Sequence, residues 1–323
     1  MAASPAISLD DVERARAGIV GRLHRTPTLT SATIGDRVGA RVHLKAELFQ
    51  RTGSFKPRGV LAKLDSLSAE ERRRGILGAS AGNLAQALAY SAALAEIDCL
   101  VVMWQGASEV KVAATRGYGA IVDLEATSAA TLLERLAQLE RETGRVLIRP
   151  WDDPYLMAGH GTLGLELYED VPDVDVVVCP VGGGGLISGL ATAIKGRRPG
   201  ARVVGVEPEL APALSAALAA GRPVPVEPRS IADGLNAPQA GEACLPICRD
   251  HVDDLVLVSE EEITAATRFL YTRAKLACEP AGAAATAALL AGKVPLDRGE
   301  SVVSVVSGGN VDPQIASGIL AAR

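Results

Sequence analysis

The sequence predicts an α/β protein of two lobes, each a mostly parallel sheet flanked by helices. Three observations predict it. Short β-branched runs alternate with longer Ala/Leu-rich stretches of helical spacing, the pattern of repeated βαβ units. Runs such as VDVVVCP (174–180) are apolar without alternation, as strands covered by helices on both faces must be. A chain of 323 residues also exceeds what one small core organises.

In chain order the expected strands are RVHLKAEL (41–48), GILGAS (75–80), CLVVMW (99–104), AIVDL (120–124) and RVLIR (145–149). VDVVVCP (174–180), ARVVGVEP (201–208), DLVLVS (254–259) and SVVSVVS (301–307) follow. Helices are expected over 57–68, 83–95, 109–118, 127–143, 154–169, 185–196, 260–276 and 280–291. Ser259 and Glu262 form a capping box for the helix from 260. Residues 70–147 are an unbroken run of strand–helix units, expected to form a small, mobile inserted lobe. Residues 1–69 and 148–323 then make the larger lobe, with the cleft between the two as the default ligand site. The Pro-rich stretch GRPVPVEPRS (221–230) reads as an extended surface connection.

Composition narrows the function classes. A net charge of −5, with no interleaving of Arg and aromatic residues, offers nothing to nucleic acid. No apolar stretch nears the roughly 20 residues that span a bilayer, and the start MAASPAISLDD lacks a secretory pattern, so the expected compartment is the cytoplasm. Aromatics are only 3% of residues, so aliphatic side chains must fill the interior. An odd count of five cysteines argues against a disulfide framework. In CLPIC (244–248) two thiols stand at helical spacing, but Pro246 interrupts them and no second pair accompanies them. No metal site is expected there.

Four loops carry chemistry. In ELFQRTGSFKPRGV (47–60), Lys56 falls in the first turn of a helix, hemmed in by Phe55 and Pro57. The positive end of the helix dipole disfavours a cation there, so a depressed pKa and amine chemistry are expected. In CPVGGGGLISGL (179–190), a strand runs into four glycines and then a helix. Backbone without Cβ atoms and the bare amides of a helix start make a phosphate cradle, although neither the P-loop nor the G-x-G-x-x-G spacing is present. In GASAGNLAQALAY (78–90), Ser80 and the amides of Ala81 to Asn83 could grip a carboxylate; Asn83 as an ordinary helix cap is the plain alternative. In VVSVVSGGNVD (301–311), Ser307 ends a buried strand, where α/β ligand sites concentrate.

In this order, SFKPRG, SAGN, GGGGL and SGGN resemble the fold-type II enzymes that use pyridoxal 5′-phosphate. Among these the chain looks most like the threonine/serine dehydratase (threonine ammonia-lyase) and serine racemase family. RTP (25–27), GTLGLEL (161–167), VGVEP (204–208), ADG (232–234) and EPAGA (279–283) extend the likeness over nearly the whole chain. The resemblance implies a two-lobe, tryptophan synthase β-like fold with Lys56 as the Schiff-base lysine and the base for the substrate Cα proton. It places Phe55 near the cofactor ring, Asn83 on the ring 3′-oxygen, and Gly182, Gly183, Gly184, Gly185 and Leu186 on the phosphate. Ser307 would face the pyridine nitrogen with Gly234 and Glu279 nearby, and Ser80, Ala81, Gly82, Asn83 and Leu84 would bind the substrate. The implied reaction converts L-threonine or L-serine to 2-oxobutanoate or pyruvate plus ammonia, in a homodimer or homotetramer.

The chain departs from that family at four places. Serine racemase carries a serine where Ala81 stands, so dehydration with little racemisation is expected, with a serine racemase-like enzyme as the alternative. Leu84 replaces a histidine, which makes a bulkier apolar substrate such as 3-phenylserine an alternative. His160 replaces a glutamine and reads as a hydrogen-bonded loop residue. Glu207 matches one carboxylate of a cation site, but Ala213 stands where the second belongs, so no divalent-cation activation is expected. The chain ends 13 residues after Asn310, so no C-terminal domain binding isoleucine or valine is expected. The rival readings are a β-replacement enzyme of the cysteine-synthase type, whose substrate loop SAGNLAQ does not match, and a non-catalytic ligand-binding protein.

Overall fold

A computed structural model describes residues 6–321; the start of the N-terminal stretch (residues 1–5) and residues 322–323 lie outside the described residues. The chain opens with α1 (Leu9–Ile19), β1 (Thr28–Thr30), α2 (Ala32–Val38), β2 (Arg41–Ala46), α3 (Lys56–Asp65) and α4 (Ala69–Arg74). Next come β3 (Ile76–Ala79), α5 (Asn83–Leu94), β4 (Cys99–Trp104), α6 (Glu109–Gly117), β5 (Ile121–Ala126), α7 (Ala129–Thr143) and β6 (Val146–Leu147). Then follow α8 (Pro154–Asp170), β7 (Val176–Pro180), α9 (Gly185–Arg197), β8 (Arg202–Pro208), α10 (Ala213–Ala220) and α11 (Cys244–His251). The chain closes with β9 (Asp254–Val258), α12 (Glu260–Phe269), α13 (Pro280–Leu290), β10 (Ser301–Val306) and α14 (Pro313–Ala321).

These strands make two sheets. One runs β1-β2-β10-β7-β8-β9 and is parallel except for the edge pair β1–β2; the other, β5-β4-β3-β6, is parallel throughout. Every expected strand is present. The larger sheet explains why its strands do not alternate. In β7, Val177 and Cys179 join an apolar cluster with α8 and α9, while Val176 and Val178 join one with α12 and α13 on the other face. Both faces are covered, so both sets of side chains are apolar.

Several boundaries differ from expectation for local reasons. The helix expected over 57–68 ends at Asp65, and α4 restarts behind Ser68, whose side chain exchanges capping bonds with Glu71. The helix expected over 260–276 begins with the Ser259–Glu262 box but leaves α geometry after Phe269. It finishes as a π turn over Leu270–Ala274, stopped by Lys275 at φ 59°. Pro246 does not interrupt the CLPIC segment. It lies in the first turn of α11, where a missing N–H costs nothing, and Cys244 and Cys248 are both buried in the core. Among the described residues all five cysteines are free and buried, and no helix is long and apolar enough to cross a membrane.

Beneath α3 lies a buried set of charges. The guanidinium of Arg58 is fully buried and reaches Glu47 at 2.8 and 2.9 Å and Glu166 at 2.7 and 2.9 Å. Lys45, equally buried, lies 3.0 Å from Glu166 and donates to the Thr26 carbonyl at 2.8 Å. Thr26 in turn donates its hydroxyl to Glu47 at 2.5 Å. Burial works against the Arg58 charge, but the two carboxylates outweigh it and hold the group above its ordinary value. This set ties β2, α3 and α8 together two residues from Lys56. Replacing Glu47 (Glu47→Ala) leaves Arg58 short of a counter-charge. Urea denaturation is expected to show a loss of about 3–5 kcal/mol, far above the loss at an exposed pair such as Arg73–Glu70.

Candidate active site

β2, β10 and β7 are adjacent and parallel, so their carboxyl ends deliver three loops to one edge of the sheet. The loop after β2 passes through Thr52 at φ 63°, a left-handed conformation that a β-branched residue adopts only under constraint. The constraint is visible in the bonds to the loop after β10. Asn310 donates its amide to the Thr52 carbonyl at 2.7 Å, Gly309 N–H bonds the Gly53 carbonyl at 2.9 Å, and Phe55 N–H bonds the Ser307 carbonyl at 3.1 Å. Ser307 is thereby buried beside the start of α3. The hydroxyls of Thr52 and Ser54, also buried here, have no partner within the chain.

Lys56 is the first residue of α3, and Phe55 before it provides no side-chain cap. The amine stands 4.9 Å from the centroid of the Phe55 ring. Burial pushes its pKa down to about 8, against the opposing pull of Glu279. The Phe55 ring packs against the His160 imidazole, centroids 4.8 Å apart at 72°. The expectation of a hydrogen-bonded loop histidine is overturned. His160 lies inside α8, and both of its ring nitrogens are buried without a partner.

Asn83 does not cap its helix; it is the hub of a network. Its amide donates to Glu279 Oε1 at 2.6 Å, and its oxygen accepts from Asn310 at 2.7 Å. Burial, with Asp233 nearby, pushes the Glu279 carboxyl up to about 8, although the Asn83 bond opposes the shift. Gly308 is required here, because a Cβ on it would lie 2.4 Å from Glu279 Oε1. Gly234 also faces this pair, a Cβ on it falling 3.8 Å from Glu279 and 4.0 Å from Asn83. Its neighbour Asp233 pairs with Lys111 of α6 at 2.8 Å. The Ser80 hydroxyl accepts the Gly82 N–H, and α5 starts with no side-chain cap, so the amides of Ala81 and of the first turn of α5 are left to an anion. Leu84 points away from this turn, its side chain buried in the apolar cluster with Val60, Leu64 and Leu156.

The tetraglycine loop is shaped by close neighbours. A Cβ on Gly183 would sit 2.4 Å from the Trp151 ring, and one on Gly185 would sit 2.9 Å from the Trp151 carbonyl. Gly184 has φ 96° and precedes α9 with no side-chain cap, while Leu186 anchors the helix start in the core. Gly182 abuts Leu235, the residue after Gly234, so the cradle adjoins the Asn83–Glu279 network. Trp151, Asn310, Asp233, Lys111 and Arg58 are parts of this region that motif reading did not assign. Asn310, Arg58 and Asp233 left a signal, as letters of SGGN, SFKPRG and ADG, whereas Trp151 and Lys111 left none. Glu207 serves as a helix cap instead. Its two oxygens accept from Leu214 N–H, Ser215 N–H and the Ser215 hydroxyl at the start of α10. No group of three His, Cys, Asp or Glu residues suited to a metal occurs among the described residues.

A desolvated amine, orphaned hydroxyls beside it and an uncapped glycine cradle fit a phosphorylated aldehyde. Comparison with known proteins agrees. Residues 20–308 match the family model described as pyridoxal-phosphate dependent enzyme. The chain is 42% identical over 308 residues to the catabolic L-threonine dehydratase of Escherichia coli, covering 95% of this chain and 94% of that protein. It is 41% identical over 315 residues to the L-threonine ammonia-lyase of Thermotoga maritima, covering 97% and 78%. The structure of maize serine racemase superposes with a TM-score of 0.92 at 35% identity, covering 97% and 96%.

Two outcomes are expected. Gly183→Ala should weaken pyridoxal phosphate binding about tenfold or more in a spectral titration, because the added methyl meets the Trp151 ring. In cofactor-free protein, capture of pyridoxal phosphate should quicken about tenfold per pH unit up to about pH 8 and level off above it. The protonated amine is inert, and Lys56 loses its proton near 8 rather than 10.5.

Proposed function

Because the chain belongs to the pyridoxal-phosphate dependent enzyme family, we propose that it is a lyase, a threonine ammonia-lyase that also accepts L-serine. It removes the β-hydroxyl and the amine of L-threonine or L-serine to give 2-oxobutanoate or pyruvate plus ammonia. Water lost at Cβ is regained at Cα, so the net products are the 2-oxo acid and ammonia. The observation that carries this reading is the pairing, at one edge of one sheet, of the desolvated Lys56 amine with an uncapped tetraglycine loop.

Bound pyridoxal phosphate supplies an aldehyde for an amine and an electron sink that labilises the substrate Cα–H. The remaining work belongs to side chains of this chain. Lys56 would hold the cofactor and would serve as the base for the substrate Cα proton; its pKa near 8 leaves part of the free amine unprotonated at neutral pH. The amides of Gly182, Gly183, Gly184, Gly185 and Leu186 hold the phosphate at the positive end of α9. Asn83, fixed between Glu279 and Asn310, presents its amide to the ring edge, with Gly234 leaving room beside it. Ser307 offers a neutral hydroxyl, which cannot hold a pyridine nitrogen protonated as a carboxylate would, and this favours prompt loss of a β-leaving group. The turn from Ser80 through Asn83 takes the substrate carboxylate on its open amides, with Leu84 contributing its backbone alone.

Leu84 lies in the core, so the ground for expecting a bulkier apolar substrate falls away. Ala81, half-buried in the substrate turn, carries no group able to return a proton to the opposite face of Cα. The lobe of residues 70–147 closes over the substrate, and Lys111–Asp233 and Ser108–Asp312 are polar contacts that support closure. The protein works in the cytoplasm as a homodimer or homotetramer.

The test is a panel of L-threonine, L-serine and 3-phenylserine, following 2-oxo acid and ammonia. L-Threonine should turn over fastest, Lys56→Ala should lose at least about a thousandfold in rate and yield no borohydride-trapped adduct, and L-serine should give pyruvate with little D-serine. D-Serine formed as fast as pyruvate would refute the role given to Ala81.

A further inference from the structure

His160 lies beside Lys56 without a part in the reaction. It is only 1% exposed, and neither ring nitrogen has a hydrogen-bond partner in the chain. Burying an imidazole this way costs stability that a leucine of similar bulk would not. Its contacts fall on the first turn of α3, on either side of Lys56. A Cβ on Gly59 would lie 2.3 Å from the imidazole Cε1 and 2.7 and 2.8 Å from the two nitrogens, so the ring fills the hollow that glycine leaves. One turn earlier, the same imidazole meets the Phe55 ring at 4.8 Å, and that ring stands 4.9 Å from the Lys56 amine. The charged groups facing the imidazole are Lys56 and Arg58, and together with burial they keep it neutral.

We propose that His160 is a positioning residue: seated over Gly59, its imidazole sets the tilt of the Phe55 ring, and that ring sets where the Lys56 amine stands. The proposal rests on the reading of Lys56 as the cofactor-bearing lysine. It explains why a side chain unfavourable to stability occupies the spot, and why position 59 has no Cβ.

The experiment compares His160→Leu, Gly59→Ala and the double variant in two ways. In cofactor-free protein, labelling of Lys56 by trinitrobenzenesulfonate is followed against pH, with peptide mass spectrometry to isolate that lysine. In the loaded enzyme, kcat and KM are measured separately. An amine freed from the Phe55 face reaches water. The labelling midpoint should therefore rise by about one pH unit, and labelling at pH 7 should slow about tenfold. The kcat should fall about tenfold with KM within about twofold. Gly59→Ala should give the same signature by displacing the ring, and the double variant should be no worse than either single one. His160→Leu should melt no lower than the parent. A labelling midpoint and kcat unchanged in His160→Leu would overturn the proposal. So would a fall in melting temperature with Lys56 unaffected, because the imidazole would then serve packing alone. The labelling arm uses no substrate, so its result is independent of which amino acid the enzyme accepts.

Discussion

The arrangement around Lys56 depends on the burial of Arg58. A guanidinium cannot shed its charge, so taking it out of water demands carboxylates at fork geometry, and Glu47 and Glu166 provide them. Those partners sit on the loop after β2 and on α8, so satisfying one charge fixes three elements relative to one another. The first turn of α3 is thereby clamped, and with it the amine two residues upstream. Replacing the set with apolar side chains could preserve stability while losing the directionality that holds α3 in a single pose.

The second constraint is a polar zipper between loops. Asn310, Asn83 and Glu279 come from three separate connections, yet each satisfies a group of the next. Such a network tolerates Thr52 in a conformation costing about 1–3 kcal/mol because the carbonyl bond to Asn310 offsets part of it. The strained backbone, the unpartnered hydroxyls and the shifted Lys56 and Glu279 groups all cluster within this one region. Consistency between local preference and global fold is relaxed where chemistry is housed.

How much of this was legible depended on how local the cause was. The strands could be read because parallel sheets covered on both faces leave uninterrupted apolar runs. The loops could be read because glycines and asparagines gather at strand ends. α10 escaped because its cap is Glu207, which lies on the preceding strand and so gives no signal at the helix start. α11 escaped because Pro246 looks like a breaker until its place in the first turn is known. The partner of Arg58 on α8 is 108 residues away, a pairing that no local pattern encodes. Trp151 was invisible for the same reason: the need for Gly183 is set by a side chain on another connection. Leu84 could be seen as a change of residue type, but which way it points follows from the packing of α5 on α3.

The five thiols are distributed unevenly through the interior. Cys99 belongs to the small-sheet core, Cys179, Cys244 and Cys248 to one face of the large sheet, and Cys278 to the other. Burial pushes each of them away from the reactive thiolate, so an oxidant or alkylating agent meets no target while the molecule stays closed. The five sulfurs are thus timers distributed over three compartments. The order in which the five react with an added alkylating agent under mild denaturant reports which compartment breathes first, with no label built into the chain.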